Sequence, residues 1–230
     1  MHNCYLSLFI KIECHWTKKH WTSSRDIYKG TYQIPKHLYI DVTKLLHMEQ
    51  KLYNHEVALN LLKGENHLRQ IAKELKINHM TIKRALDSMV KENILNVKEE
   101  GKNNVFSIKN SLEAYNAVLS AEIYRLSRFI KKHPELKREI LELKKMPFMV
   151  VIFGSYAKGI ETKDSDIDVF IETKDVKVKN AASKLNEKFS IKMGKYDKND
   201  LLIKEIEKSH IIVKGFEVFY EKSRFFERII

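Results

Sequence analysis

Gly154-Ser155-Tyr156-Ala157-Lys158-Gly159, five further residues, then Ser165-Asp166-Ile167-Asp168 is the stretch on which the reading turns. Ahead of it runs Phe148-Met149-Val150-Val151-Ile152-Phe153, continuously apolar and of strand length, as expected for a strand covered on both faces. A strand that halts at Gly-Ser and turns into a helix leaves free backbone N–H groups and a hydroxyl at the bend. That is an anion site suited to the phosphates of a nucleoside triphosphate. Gly154 and Gly159 permit sharp turning and close backbone approach. Asp166 and Asp168 are two apart, and on a strand such residues share a face, so both carboxylates are expected to point to one place. Two hard oxygen donors beside a phosphate site suit Mg²⁺, which prefers carboxylates plus substrate phosphates to an all-protein cage. Two such ions can activate an attacking hydroxyl and stabilise a departing pyrophosphate. A lone Asp-x-Asp is most often a pair of solvated acids; here strand, Gly-Ser, second glycine and Ser-Asp-x-Asp come in order.

Downstream, the pattern predicts a second strand over Ile167–Thr173, a helix over Val178–Lys188 and a third strand over Phe189–Met193. A helix over Asp200–Ser209 and short strands at Ile211–Val213 and Glu217–Tyr220 complete residues 147–230. Upstream, Leu112, Tyr115, Leu119, Ile123, Leu126 and Ile130 recur every three or four residues, the period of a helix. Pro134 breaks it, and a shorter helix over Glu135–Lys145 completes a connector, residues 111–146. Residues 46–110 read as a helix over Met48–Leu62 closed by Gly64, a helix over His67–Leu75 and a turn at Lys76-Ile77-Asn78. A third helix starts near His79 with Asn78 as N-cap and Ile82, Ala85, Leu86 and Met89 inward. Asn96–Ile108 then forms two strands around a turn-rich tip. Helix, helix, turn, helix, hairpin is the order of a winged helix-turn-helix. Residues 1–45 show no clear period, only β-like stretches at Tyr5–Ile12 and His37–Val42.

Such a recognition helix meets the major groove of DNA with its N-terminal residues. Its outward set here is His79, Thr81, Lys83, Arg84 and Ser88, and Lys83 and Arg84 suit phosphate or guanine. Lys98 and Lys102 of the wing could reach the backbone, while Glu99 and Glu100 at its tip oppose a tight grip. The same module also serves protein contacts, dimerisation included. A net charge of +12 agrees with a polyanionic partner. Residues 151–230 hold 16 Lys and Arg against 14 Asp and Glu, so most of the surplus lies ahead of the acid pair. No apolar run approaches the roughly 18 residues of a membrane span, and the first residues lack the features of a secretory signal, so a cytoplasmic protein without membrane contact is expected. Cys4 and Cys14 lie among His2, His15 and His20 with no known zinc spacing.

The 154–168 segment resembles the signature of the nucleotidyltransferase superfamily that includes DNA polymerase beta, above all its minimal nucleotidyltransferases. The pattern over about 148–220 is similar to that compact domain. A winged helix ahead of it resembles a prokaryotic, often archaeal, arrangement. The resemblance implies an α+β protein: an N-terminal winged helix-turn-helix, a helical connector and a C-terminal mixed sheet flanked by helices. It implies Mg²⁺-dependent transfer of an NMP, most simply AMP from ATP, to a hydroxyl acceptor. Asp166 and Asp168 become the ligands of two ions and Gly154 and Ser155 the phosphate contacts. Lys158 stands where the family often has a basic residue, and Ser165 joins the nucleotide-binding set. Minimal members are often paired with small helical toxins that they adenylylate, which makes a protein acceptor, and an oligomer, reasonable expectations. One departure stands out. Active members usually carry a third carboxylate on a neighbouring strand, and Phe189–Met193 has none, with Lys192 in its place. Glu172 lies about 13 Å along the strand from Asp168, and Asp197 and Asp200 are the substitutes a loop offers. The alternative is therefore a DNA-binding regulator that binds nucleotide without turnover.

Overall fold

In the computed structural model, which describes residues 42–101 and 103–227 with side chains from Leu52 onward, the apolar periods of the sequence resolve into helices and two small sheets. The readings of residues 1–41, the Cys and His residues there, and Lys102 lie outside the described residues. Helix α1, Val42–Leu61, starts six residues before Met48 and takes in Val42, so the extended reading fails at that residue. A two-residue strand β1, Asn66–His67, precedes helix α2, Leu68–Leu75; His67 is the extended N-cap rather than part of the helix. Helix α3, His79–Lys91, is capped by Asn78, whose Oδ1 accepts from the Met80 N–H at 2.8 Å. Its buried residues are Ile82, Ala85, Leu86 and Met89, the face its period implies. Strands β2, Leu95–Glu100, and β3, Asn103–Ile108, pair antiparallel, and β1 adds to β3. This is a winged helix-turn-helix.

Ser111 opens helix α4, Leu112–Lys132, its hydroxyl accepting from the Ala114 N–H at 3.1 Å. Pro134 has no N–H to donate and ends α4 at His133; one 3-10 turn, Pro134–Leu136, leads into α5, Lys137–Lys145. The two ends of α4 pack differently. Ala114, Val118 and Ala121 join the core of α1 to α3, whereas Leu126 and Phe129 join the core under the second sheet.

That sheet comprises β4 (Val150–Phe153), β5 (Ile167–Ile171), β6 (Phe189–Met193) and β7 (Ile211–Lys214) in the order β6-β5-β4-β7. β4 runs antiparallel to β5 and β7, while β5 and β6 are parallel. A parallel pair needs a crossover, and α7, Val176–Ser183, supplies it. Helices α6 (Gly154–Lys158), α8 (Leu201–Lys208) and α9 (Phe216–Ser223) complete a mixed sheet flanked by helices. Alternation sorts the side chains. Val150, Ile152, Ile167, Val169 and Ile171 meet α4 and α5; Val151, Phe153, Phe170 and Ile212 meet α8 and α9 and share the core of the winged helix. No described helix is long and apolar enough to cross a membrane.

Two expected elements change. Glu217–Tyr220 is helical, not a strand: Gly215, at φ +83°, closes β7, and Phe216, Phe219 and Tyr220 then recur at helical spacing, burying the last two. The crossover helix is Val176–Ser183 rather than Val178–Lys188: Asp175 caps its start by accepting from the Lys177 N–H at 2.8 Å, and its end gives way to a turn in which the Leu185 N–H donates to Ala182 O at 3.1 Å.

One buried carboxylate ties α4 to the sheet. Glu122, fully buried, accepts from the Tyr220 hydroxyl at 2.7 Å and lies 3.3 Å from both His210 Nε2 and Arg125. Burial alone would raise its carboxyl, but the hydrogen bond from His210 and the charges of Arg125 and His210 outweigh it and hold the group below its ordinary 4.5. A depressed carboxyl stabilises the fold above its unfolded value and loses that contribution as pH falls through its folded value. Glu122→Gln is expected to cost about 2–3 kcal/mol at neutral pH. The gap to wild type should narrow as pH drops below 4.5, as urea midpoints across that range will show.

Candidate active site

Phe153 leaves β4 extended, and Gly154 turns the chain with φ +71° into α6. In the β4–β5 register Phe153 faces Asp168. A Cβ built on Gly154 would stand 2.3 Å from Asp168 Oδ2 and 3.2 Å from its Cγ, so the carboxylate lies directly against the Gly154 backbone. Glycine is required twice over, by the left-handed φ and by this approach. Asp166 sits one residue ahead of β5 and is exposed; Asp168 is half-buried. Neither has a hydrogen-bond or ion-pair partner among the described residues. Apart from the exposed Asp164, the other acids considered for this site are engaged. Glu161 accepts from Lys132 and Glu172 from Lys222, Glu205 pairs with Lys158 at 2.9 Å, and Asp197 and Asp200 accept from backbone N–H groups at 2.9 and 2.8 Å. Asp166 and Asp168, with Asp164 in the loop before them, are the acids of this segment left unpaired among the described residues.

Ser155 is half-buried on the first turn of α6. With only 5 residues, α6 has little macrodipole, so an anion there would rely on backbone N–H groups and the Ser155 hydroxyl. Lys158 is exposed and held by Glu205 of α8. Ser165 acts within its own loop, where its hydroxyl accepts from the Thr162 N–H at 2.9 Å and closes the turn before Asp166.

No group of three acidic, His or Cys side chains fit to hold a metal occurs among the described residues. Glu172, Asp197 and Asp200 are committed as above, which removes them as substitutes for a third acid. The parallel register puts Ser190 beside Asp168 and Lys192 beside Phe170, on the same face. Lys192 therefore presents a cation one strand from the acid pair, and it is exposed. Ser190 escaped the sequence reading because only the register of β6 reveals it. Two carboxylates still fit Mg²⁺, whose remaining ligands are ordinarily phosphate oxygens and water.

On the winged helix, His79, Lys83 and Arg84 are exposed, and Thr81 and Ser88 are half-buried. Ser88 donates to Glu92 at 2.6 Å, toward the far end of α3; Lys83 lies 3.6 Å from Asp87 and Lys98 2.8 Å from Glu100. His79 and Lys83 line a cleft of about 500 Å³ together with His67, Arg69, Gln70 and Asn104. Arg69 and His67 were not legible as site residues, because only the packing of α2 beside β3 brings them there.

A mixed four-stranded sheet carries a glycine bend with the unpaired Asp168 carboxylate against it and Asp166 two residues ahead. Residues 133–230 match the family model described as "Nucleotidyltransferase domain". No curated protein matches the chain. The crystal structure of the adhesin competence repressor AdcR from Streptococcus pyogenes is similar over 42% of this chain and 75% of its own, at 16% identity and a TM-score of 0.33.

Gly154→Ala should destabilise the protein by at least about 1–2 kcal/mol from the backbone alone, with displacement of Asp168 in addition. Adding Asp168→Ala should recover part of the loss, a non-additivity readable by thermal unfolding of the singles and the double.

Proposed function

We propose that this protein is a Mg²⁺-dependent nucleotidyltransferase, moving AMP from ATP to a hydroxyl acceptor, coupled to a DNA-binding winged helix. The observation that carries it is the unpaired Asp168 carboxylate lying on the Gly154 bend, with Asp166 two residues away. Asp166 and Asp168 would hold the metal, which when bound offsets triphosphate charge and polarises the reacting phosphate. The backbone N–H groups at the bend and the Ser155 hydroxyl bind phosphate oxygens. Lys158, on the same short helix, exchanges Glu205 for phosphate. A partner protein, for example a small helical toxin, is the acceptor that the family resemblance suggests. A cytoplasmic setting agrees with the ATP and DNA of this reading.

Incubation with labelled ATP, Mg²⁺ and candidate protein acceptors tests the reading. Transfer should occur with wild type and fall by at least about 100-fold with Asp166→Asn or Asp168→Asn, on the scale of losing a main electrostatic group. A second reading, a nucleotide-sensing regulator, is favoured by one observation: Ser190, not an acid, stands beside Asp168, and among the described residues no third carboxylate joins the pair to take up the acceptor proton. ATP binding without transfer to any acceptor would select it.

DNA binding is checked separately by titration at several salt concentrations. Replacing Lys83 with Ala should weaken binding evenly across sequences and reduce the salt slope by about 1, as for a phosphate contact. Arg84→Ala, if Arg84 reads a base edge, should instead cost about 1–3 kcal/mol at particular sequences.

A further inference from the structure

The loop that brings Asp166 to β5 is fastened on both sides of that residue. Before it, the Thr162 N–H donates to Ser165 Oγ at 2.9 Å and the Ser165 N–H to Thr162 O at 3.2 Å, closing a turn. After it, the Ile167 N–H donates to Lys188 O at 2.8 Å. A third fastening comes from outside the loop. Glu161, whose neighbours Thr162, Lys163 and Asp164 are exposed, turns its own side chain inward to 11% exposure. There it accepts from Lys132 Nζ and lies 3.2 Å from His133 Nε2, both at the C-terminal end of α4. The Lys132 hydrogen bond keeps the Glu161 carboxyl below its ordinary range.

The same end of α4 also grips α6. The His133 ring lies 5.2 Å from the Tyr156 ring and 4.8 Å from that of Phe129. Tyr156 follows Ser155 directly, so one anchor meets both segments that build the site: the bend at 154–155 and the loop into Asp166. Stability alone does not account for Glu161. Its Oε2 is buried with no hydrogen-bond partner, a cost that an apolar side chain would avoid. A carboxylate kept at such a cost, in an otherwise exposed loop, agrees with a demand on loop geometry.

We propose that Glu161, bonded by Lys132 and lying beside His133, is a positioning residue that fixes Asp166 for cation and nucleotide binding. This rests on the reading that Asp166 is a metal ligand. Glu161 does not touch the acid pair; it acts through the five-residue run to Asp166.

Glu161→Gln keeps size and packing and removes the charge. Two readouts apply: backbone amide exchange across 160–167, and affinity for ATP with Mg²⁺ by calorimetry well below the unfolding temperature. The expected result is faster exchange in that segment and about ten-fold weaker binding, the scale of losing an outer partner of a metal ligand. Lys132→Met, at a half-exposed position, should reproduce both changes. The double variant should be no worse than the worse single, since the two act as one unit. Wild-type exchange and affinity in both single variants would overturn the positioning role alone. A wild-type protein that does not bind ATP with Mg²⁺ would overturn the function proposed above and this role with it.

Discussion

The Asp168 carboxylate resting on the backbone of Gly154 depends on a pairing, Phe153 with Asp168, that allows no slippage. A shift of one residue between β4 and β5 would turn Asp168 toward the side chains of α4 and α5 and send Val169 to the bend. Apolar burial on both faces of the sheet prevents it. Val150 and Ile152 are covered by one set of helices, Val151 and Phe153 by the other, and all four are buried. The site is thus held by hydrophobic packing that reads nothing of its chemistry.

Helix α4 extends that packing to the winged helix. Its first half belongs to the core of α1 to α3, and its second half covers the sheet on the Ile152 and Val169 side. Glu122, midway, engages Tyr220 of α9 and His210 just ahead of β7. A buried charge with several partners resists sliding, since any displacement strands it without compensation. Helix α3 and the sheet that bears the acid pair are therefore joined through α4, which contributes to the core of each.

Charge around the bend follows a plain division. Glu161, Glu172 and Glu205 each answer a lysine, and Asp197 and Asp200 answer backbone N–H groups. Asp166 and Asp168 answer nothing among the described residues, although the chain carries a net charge of +12. Lys192, exposed on the edge strand β6, adds a positive charge one strand from Asp168.

Local signals made much of this legible. The continuous run ending at Phe153, the glycine after it and the i, i+2 acids announced the bend and its acid pair, because strand alternation and glycine conformation are properties of neighbouring residues. The 3.6-residue period and the Asn78 cap announced α3, and Pro134 the end of α4. The aromatic run after Gly215 was ambiguous, since its residues suit strands and helices alike until burial chooses. Long-range facts were hidden: the partner of Asp168 on β6, the commitment of Glu172 to Lys222, Arg69 in the cleft beside His79, and Glu161 turned inward to α4. By itself the sequence determined most of the elements and where the Gly-Ser bend and the acid pair fall along the chain. Only the tertiary structure decided which acids stay unpaired and what holds them, because sheet register and ion pairing join residues far apart in the chain, whose meeting no local period encodes.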